Sequence, residues 1–492
     1  MKKINFLLTK VIFICLLVIF IGGITNYIQN PLYENRWPFL FFVILLVFYL
    51  LCRNSERISS LFSWKVVIVI CVFYFIILLF TVFLFYNFDP QYEIKYTNDA
   101  AKLLANGLGL RNNGNIDFIE YFVLYKNVIN VTLYQTIFYK IFSFLGEGLT
   151  SNILVIWSCI KMTLVIPCIY YLGRKTKKII GIYAIIMLII CLPIYANTVV
   201  VYNYTIVYLY PILIMTLYIL GIDVFKKNKI AGILILVSSG IVTGIGSFIM
   251  ITPIIVPIAI LVTKLFDRKY RECKVPFFII GIACVSVIFL NQFTSPYVEK
   301  HFYDEQKTID FEAPPSIWIY TGLNYESRGL WNPEDWNQSF SVSGPSRNNY
   351  VLSLIENRIN SMGKIKLFKH FINKTTVEFA TGTFYSEIPL SYNLNNPEGS
   401  DIISKFRTVC QNYHMVILFL IIVYLYNKKS IQTSIFDVCI VSLLGIFCAT
   451  IFNETSPRHL YPFIPFLYMI AANGLDKFGD LTDSFFKKRI SK

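Results

Sequence analysis

Three carboxylates, Asp89, Glu93 and Asp99, fall within "YNFDPQYEIKYTNDAAKLLANG" (residues 86–107), directly after one of the most apolar runs in the chain. A carboxylate at the edge of a bilayer costs free energy unless it is solvated or paired. One held there partly desolvated has a raised pKa and can accept a proton from a hydroxyl. Asp89 is the first candidate for such a general base. The plain alternative is a hydrated aspartate starting a turn at "DP". Asp99 is the second candidate, as a base, a metal ligand or a solvated helix-face residue. Glu93 is the weakest of the three and is kept as a substrate contact. Lys161 also stands out, near the middle of "SNILVIWSCIKMTLVIPCIYYLG". An intramembrane lysine is costly and is a functional hypothesis by default; the alternative is a side chain that snorkels to the surface.

The elements that must position these groups are membrane helices. The chain of 492 residues is 56% hydrophobic and 17% aromatic, with a mean hydropathy of +0.59. Soluble domains interrupt their apolar runs far more often, whereas about 20 apolar residues suffice to cross a bilayer as a helix. The expected fold class is an all-α polytopic membrane protein. Hydropathy and basic loops together predict about twelve spans, at 7–27, 37–52, 65–87, 150–173, 179–196, 203–225, 230–248, 250–266, 275–292, 413–427, 433–451 and 459–475. The run after "MKK" reads as a retained helix, because it is long for a signal peptide and no small-x-small cleavage site follows.

The net charge of +15 is explained by topology and not by nucleic acid. Arg53 and Arg57, "RKTKK", "KKNK", "DRKYRECK", "NKK" and "KKRISK" all fall in short connections or at the tail. With "MKK" inside, every cluster lies on the inner side and both termini are cytoplasmic. Most of the eleven cysteines sit in or beside apolar runs, Cys410 being the one assigned to an outer segment. There is no CxxC pair and no HExxH among four histidines. A disulfide framework and a zinc hydrolase are therefore not expected.

The organisation that follows is 1–87, three spans; 88–149, a first large outer loop; 150–292, the central spans; 293–412, a second large outer loop; and 413–492, three last spans and a tail. In the first loop "NDAAKLLANGLGL" predicts an amphipathic helix, with Ala100, Leu103, Leu104 and Leu108 on one face. "YFVLYKNVINVTLYQTIFYKIFSFLG" reads as an interfacial helix, because a full span there would invert the later basic loops. The second loop begins rich in turn residues and continues as a long amphipathic stretch, 350–384, expected to lie on the bilayer surface and fold back over the first loop. Its Trp318, Arg328, Trp331 and Trp336 suit a sugar-stacking or acceptor surface. Lys366, Lys369 and Lys374 suit anionic head groups or an acceptor phosphate. For both sets interfacial anchoring is the favoured reading.

An early acidic loop entered from a membrane helix and followed by two juxtamembrane helices resembles the polytopic glycosyltransferases of the GT-C fold, which include protein O-mannosyltransferases and the aminoarabinose transferases of lipid A. "APPSIWIYTGLNYESRGLWNPEDW", an amphipathic helix and "KTTVEFATGTF" are similar to the outer loop of Gram-positive members. "NETSPRHLYPFIPFLYMIAANGLDKF", with Glu454, Arg458 and Tyr461, is similar to the family's final loop and last helix. The likeness covers nearly the whole chain in layout, through loose motifs whose order carries it.

The resemblance implies a GT-C-like bundle of about twelve helices with two structured extracytoplasmic loops, in the cell membrane. It implies transfer of a sugar from a polyprenyl-phosphate donor to an envelope glycan such as teichoic acid or a wall or capsular polysaccharide, by inverting displacement. Asp89 would deprotonate the acceptor, with Asp99 the other catalytic candidate. Arg458 would meet the departing phosphate, with Lys161 reaching it from the cavity wall. Glu93, Trp318, Arg328, Glu454 and Lys374 would contact acceptor or substrate, and His459 would be structural. No metal ligand is assigned; a divalent ion is compatible but not required, since one phosphate can be met by Arg or Lys. The bilayer, a donor-synthesising glycosyltransferase and a flippase are the implied partners. The sequence departs from the family in spacing Asp89 and Asp99 ten residues apart and in having no acid in "ANTVVVYNYT". The alternatives are a polysaccharide polymerase or ligase, and a non-enzymatic flippase or transporter of lipid-linked sugars. Transporters show repeats and broken helices; no repeat is evident, and "GIVTGIGSF" is the one candidate break.

Overall fold

The computed structural model describes residues 2–29, 37–84, 92–110, 118–303, 312–393, 397–426, 428–432 and 434–490; Asp89 lies outside them. The described residues form helices, turns and connections, with no strand among them. In hydrocarbon, backbone polar groups must be satisfied within the segment, so apolar runs become helices. Seven helices are long and apolar enough to cross a membrane: Lys3–Tyr27, Trp64–Leu84, Asn152–Arg174, Asn203–Phe225, Lys229–Ile249, Arg271–Phe302 and Glu398–Tyr426. The pair Phe39–Arg53 and Ser55–Leu61, bent by 70°, makes an eighth when counted as one broken span. The protein is an all-α polytopic membrane protein.

Each of the twelve expected segments falls on helix within the described residues, 85–87, 427 and 433 lying outside them, but they are not equal. Lys178–Ile190, Thr252–Phe266 and Ile435–Thr450 are shorter apolar helices. At 1.5 Å per residue the last of these reaches only about 24 Å. The segment expected at 413–427 starts earlier: its helix is Pro397–Tyr426, and its first half buries Cys410. "GIVTGIGSF" does not break, since Lys229–Ile249 is one helix. A break occurs instead in 203–225, between Asn203–Ile206 and Tyr210–Phe225. Pro211 at the start of the second piece has no N–H to continue the ladder.

The centre of the bundle is the last helix, Ile464–Ile490. Ile464, Phe466, Leu467, Tyr468, Met469, Ile470, Ala471, Ala472 and Leu475 are essentially inaccessible. It packs on Pro397–Tyr426 and Lys178–Ile190. Helix Trp64–Leu84 is peripheral: it buries Tyr74 and Leu78 and exposes Phe73, Phe80 and Phe83, as a lipid-facing helix does.

The first long segment holds three helices, Tyr92–Ala105, Phe118–Leu124 and Ile129–Ile141, none long enough to span. The first buries Ala100, Ala101 and Leu104. Leu108 departs from the expected face and is exposed, because the helix has already ended. Gly107 adopts φ +73°, its N–H bonds the Leu104 carbonyl, and Leu108 N–H bonds that of Leu103. That is a Schellman end, which needs a left-handed residue.

The second long segment contains Ser316–Gly322, Pro333–Ser339 and a long helix, Ser346–Ala380, with non-helical angles at Gly363. Ile317, Tyr320 and Val351 form a separate small core. Arg358 clamps the buried Asp335 with two guanidinium nitrogens at 2.7 and 2.9 Å. The two long segments meet: Lys126 pairs with Glu312 at 2.5 Å, and Tyr125 stacks on Trp336 at 5.5 Å.

Candidate functional site

The proline-rich stretch "SPRHLYPF" cannot form a regular helix, because Pro457 and Pro462 lack amide hydrogens. It forms a 3₁₀ turn, Pro457–Phe463, leading into the central last helix. Arg458 projects from this turn to Glu93, on the first turn of Tyr92–Ala105, and donates an N–H to its Oε1. The other carboxylate oxygen accepts from the Tyr202 hydroxyl at 2.8 Å. Tyr202 stands just before the broken span, where its own N–H bonds Thr205 Oγ1 at 2.9 Å. Two distant parts of the chain thus converge on the carboxylate of a third.

The pair is enclosed by protein yet reached by water: Arg458 keeps 28% of its side-chain surface and Glu93 36%. Burial pushes the Glu93 carboxyl up, but the charge and hydrogen bond of Arg458, with the Tyr202 hydroxyl, outweigh it and hold the group below the usual range. For Arg458, burial works against the charge; Glu93 overcomes it and leaves the guanidinium firmly protonated. Glu454 behaves in the opposite way. Burial, with repulsion from Glu93 and Glu378, raises its carboxyl despite the pull of Arg458 and His459.

A second ring of contacts holds this cluster. Glu378, on the long second-segment helix and 2% exposed, accepts from the Ser456 N–H at 2.7 Å. Its other oxygen lies 3.3 Å from His459 Nδ1. Lys374, one turn earlier and also buried, donates to the carbonyls of Gly322, at 3.0 Å, and Asn453. Burial lowers its pKa to about 8, against the pull of Glu378 and Glu454. Thr455 completes the joint: its N–H bonds the Gly329 carbonyl at 2.7 Å and its hydroxyl the Arg328 carbonyl at 3.0 Å. Gly329 sits at φ +77°, and a Cβ there would come within 2.6 Å of Thr455 Oγ1. Only glycine fits this crossing.

Aromatic rings line the first-segment side. Tyr96 stacks on Tyr121 at 4.4 Å, Tyr121 lies 5.0 Å from Tyr125, and Tyr125 meets Trp336 and Trp318. Burial, then the negative charges of Glu93 and Glu454, push the Tyr125 hydroxyl up to about 12, which places this aromatic run beside the acids.

The expected site residues are distributed unevenly. Glu93, Glu454 and Arg458 come together, and Trp318 lies on the aromatic run. Lys374 is turned inward to tie two loops. Arg328 is exposed, with Nη1 3.2 Å from Asn26 Oδ1. Asp99, six residues beyond Glu93 on the same helix, points about 120° away from it. Lys161 is buried in its span and donates to the Ile206 carbonyl at 3.2 Å, over the Tyr134 ring, and none of its contacts belongs to this cluster. That carbonyl ends the short helical piece before the break, so the lysine satisfies a group the break leaves open. Tyr202, Glu378 and Tyr125 are members the sequence reading missed. A lone acid in "KTTVEFATGTF" was the available signal for Glu378; nothing local marked the tyrosines. Among the described residues no group of three or more His, Cys, Asp or Glu side chains is arranged to hold a metal ion.

No curated protein matches the chain. Residues 12–387, which include Glu93, Tyr202 and Glu378, match a family described as conserved hypothetical integral membrane proteins, and the chain belongs to that family.

Proposed function

We propose that this protein is an integral-membrane glycosyltransferase, moving a sugar from a polyprenyl-phosphate donor to an envelope glycan on the outer side of the bilayer. The observation that carries the reading is the meeting of Arg458 with the carboxylate-bearing start of the first long segment, next to a run of aromatic rings. A guanidinium with a water-accessible edge suits a lipid phosphate. Aromatic faces beside it suit the apolar face of a sugar ring. In the displacement, an acceptor oxygen forms a bond to the anomeric carbon. The bond from that carbon to the phosphate oxygen breaks, and its electron pair leaves with the phosphate, whose developing charge Arg458 stabilises. The acceptor must also lose its proton. The resemblance implies Asp89 for that step.

The test is binding of a polyprenyl monophosphate to the purified chain in lipid nanodiscs, with envelope-sugar analysis of cells that have or lack the protein. Arg458→Ala is expected to weaken binding by about 10- to 100-fold, the equivalent of a charge-assisted contact of ~1.5–3 kcal/mol. Arg458→Lys should keep part of it. Equal binding by all three proteins would remove the basis for the reading.

A second reading, translocation of a lipid-linked sugar, draws on the broken span Asn203–Phe225 and the lysine at its break. Discontinuous helices mark transport sites. Deleting a translocator would leave its lipid-linked cargo on the inner leaflet, whereas deleting a transferase would leave unused donor on the outer one.

A further inference from the structure

His459 and Glu378 make an arrangement that phosphate binding leaves unused. Glu378 is fixed through one oxygen by the Ser456 N–H. Its Oε1 and the Nδ1 of His459 are both buried and without a hydrogen-bond partner, although they lie 3.3 Å apart. A proton on Nδ1 with a small rotation of the ring would satisfy both atoms, and catalytic hydrogen bonds are often poorly aligned before substrate binds. His459 nevertheless keeps 29% of its side-chain surface. Nε2, unlike Nδ1, is not among the buried atoms left without a partner, so it is the ring nitrogen open to an acceptor. Consecutive residues on a 3₁₀ turn diverge by about 120°, and they do so here: Arg458 turns to Glu93, His459 to Glu378. Such divergence suits a displacement in which the attacking oxygen and the leaving phosphate lie on opposite sides of the sugar carbon.

We propose that His459, oriented by Glu378, is the general base of the transfer in place of Asp89; the assignment rests on the glycosyltransferase reading. The acceptor hydroxyl gives its proton to Nε2 as its oxygen bonds the anomeric carbon, and the phosphate departs with the electron pair of the broken bond. The imidazolium that forms is held by the Glu378 carboxylate through Nδ1–H. Glu378 is a positioning residue. The charged groups that act on the ring are Glu378 from the second segment, Glu93 from the first and Glu454 from its own loop, with Arg458 its neighbour in the chain; Lys374, Tyr385 and Tyr202 act on those acids or on Arg458.

The test uses the full chain in nanodiscs, with polyprenyl monophosphate as binding probe, polyprenyl-monophosphate glucose, mannose, galactose and N-acetylglucosamine as donors, and envelope glycan isolated from cells lacking the protein as acceptor. His459→Gln and His459→Asn should bind the lipid phosphate within threefold of the parent, which also reports folding. Their donor turnover should fall about 10²-fold or more, the usual contribution of a general base. Turnover of the parent should drop on the acid side as the base is protonated. In Glu378→Gln that limb should move to lower pH with about tenfold lower turnover, because the imidazolium loses its carboxylate. A structural role would instead weaken binding and turnover together and leave the profile's shape alone. Histidine variants that bind normally and keep more than a tenth of the turnover would overturn this assignment only. A parent that turns over none of these donors would overturn the glycosyltransferase reading and this assignment with it, whether or not it binds the lipid phosphate.

Discussion

Arg458 has its charge already balanced by Glu93, so an incoming phosphate must compete with a resident carboxylate. Glu93→Gln keeps the shape and a hydrogen-bonding side chain but removes that competition. It is expected to tighten polyprenyl monophosphate binding about tenfold, the low end of a charge-assisted contact, because the Glu93 side chain is still 36% accessible. Weaker binding in a folded variant would mean that Glu93 helps build the phosphate seat and does not occupy it. Lys374 permits a prediction about pH. Its folded pKa is about 8 against 10.5 for the free side chain. Between those values the unfolded chain holds a proton that the folded chain has lost, so stability rises with pH across that window. The slope is at most about 1.4 kcal/mol per pH unit. Thermal unfolding in nanodiscs should show the parent gaining on Lys374→Met between pH 8 and 10. Parallel curves would show that the lysine keeps its proton when buried. Little of this was legible in advance. Arg458 was picked out by its place at the mouth of the last helix. Glu93 was undervalued because its partner is 365 residues away, and no local pattern encodes such a pairing.

The helices that carry these residues differ in how far the sequence announced them. Apolar runs and the helical spacing of Ala100 and Leu104 gave their elements directly, because periodicity reflects burial. The ends were harder. Leu108 shared the spacing but lay past a left-handed glycine, and the helix ending at Tyr426 begins at Pro397, its polar first half covering one face, with Ile403, Ser404, Thr408 and Gln411, against neighbours while Asp401, Ile402 and Lys405 stay exposed. The break in 203–225 was also hidden, since its apolar content continues across the gap. The small second-segment core was expected only as a compact outer unit, yet its key contact is specific. Asn332 caps Pro333–Ser339 through the amides of Glu334 and Asp335, and Arg358 holds the buried Asp335 at the helix's first turn. Removing one partner of a buried pair costs about 3–5 kcal/mol. Asp335→Ala is expected to loosen this unit without disturbing the spans, seen as faster amide exchange confined to 312–345. Unchanged exchange would mean that the apolar contacts of Ile317, Tyr320 and Val351 suffice alone.

At the scale of the whole molecule, the two long segments and the loop before the last helix must lie on one side of the bilayer, because they touch: Lys126 meets Glu312, Glu93 meets Arg458, and Gly329 meets Thr455. The basic connections show the complementary behaviour. Lys175 pairs with Asp223 at 2.5 Å and Lys177 with Asp476 at 2.6 Å, so those loops share an end of the bundle, and the positive-inside rule assigns that end to the cytoplasm. The two sets give a topology test that is independent of chemistry. Lys126→Cys and Glu326→Cys report one side, Lys227→Cys and Arg268→Cys the other. Of the native cysteines with exposed side chains, Cys15 and Cys284 lie well inside apolar helices, and Cys448, two residues from the end of Ile435–Thr450, is changed to serine in the parent used for labelling. In intact cells the first pair should label and the second pair should label only after permeabilisation. Labelling of Lys227→Cys before permeabilisation would put the basic loops outside and turn Arg458 towards the cytoplasm, where an envelope glycan could not reach it.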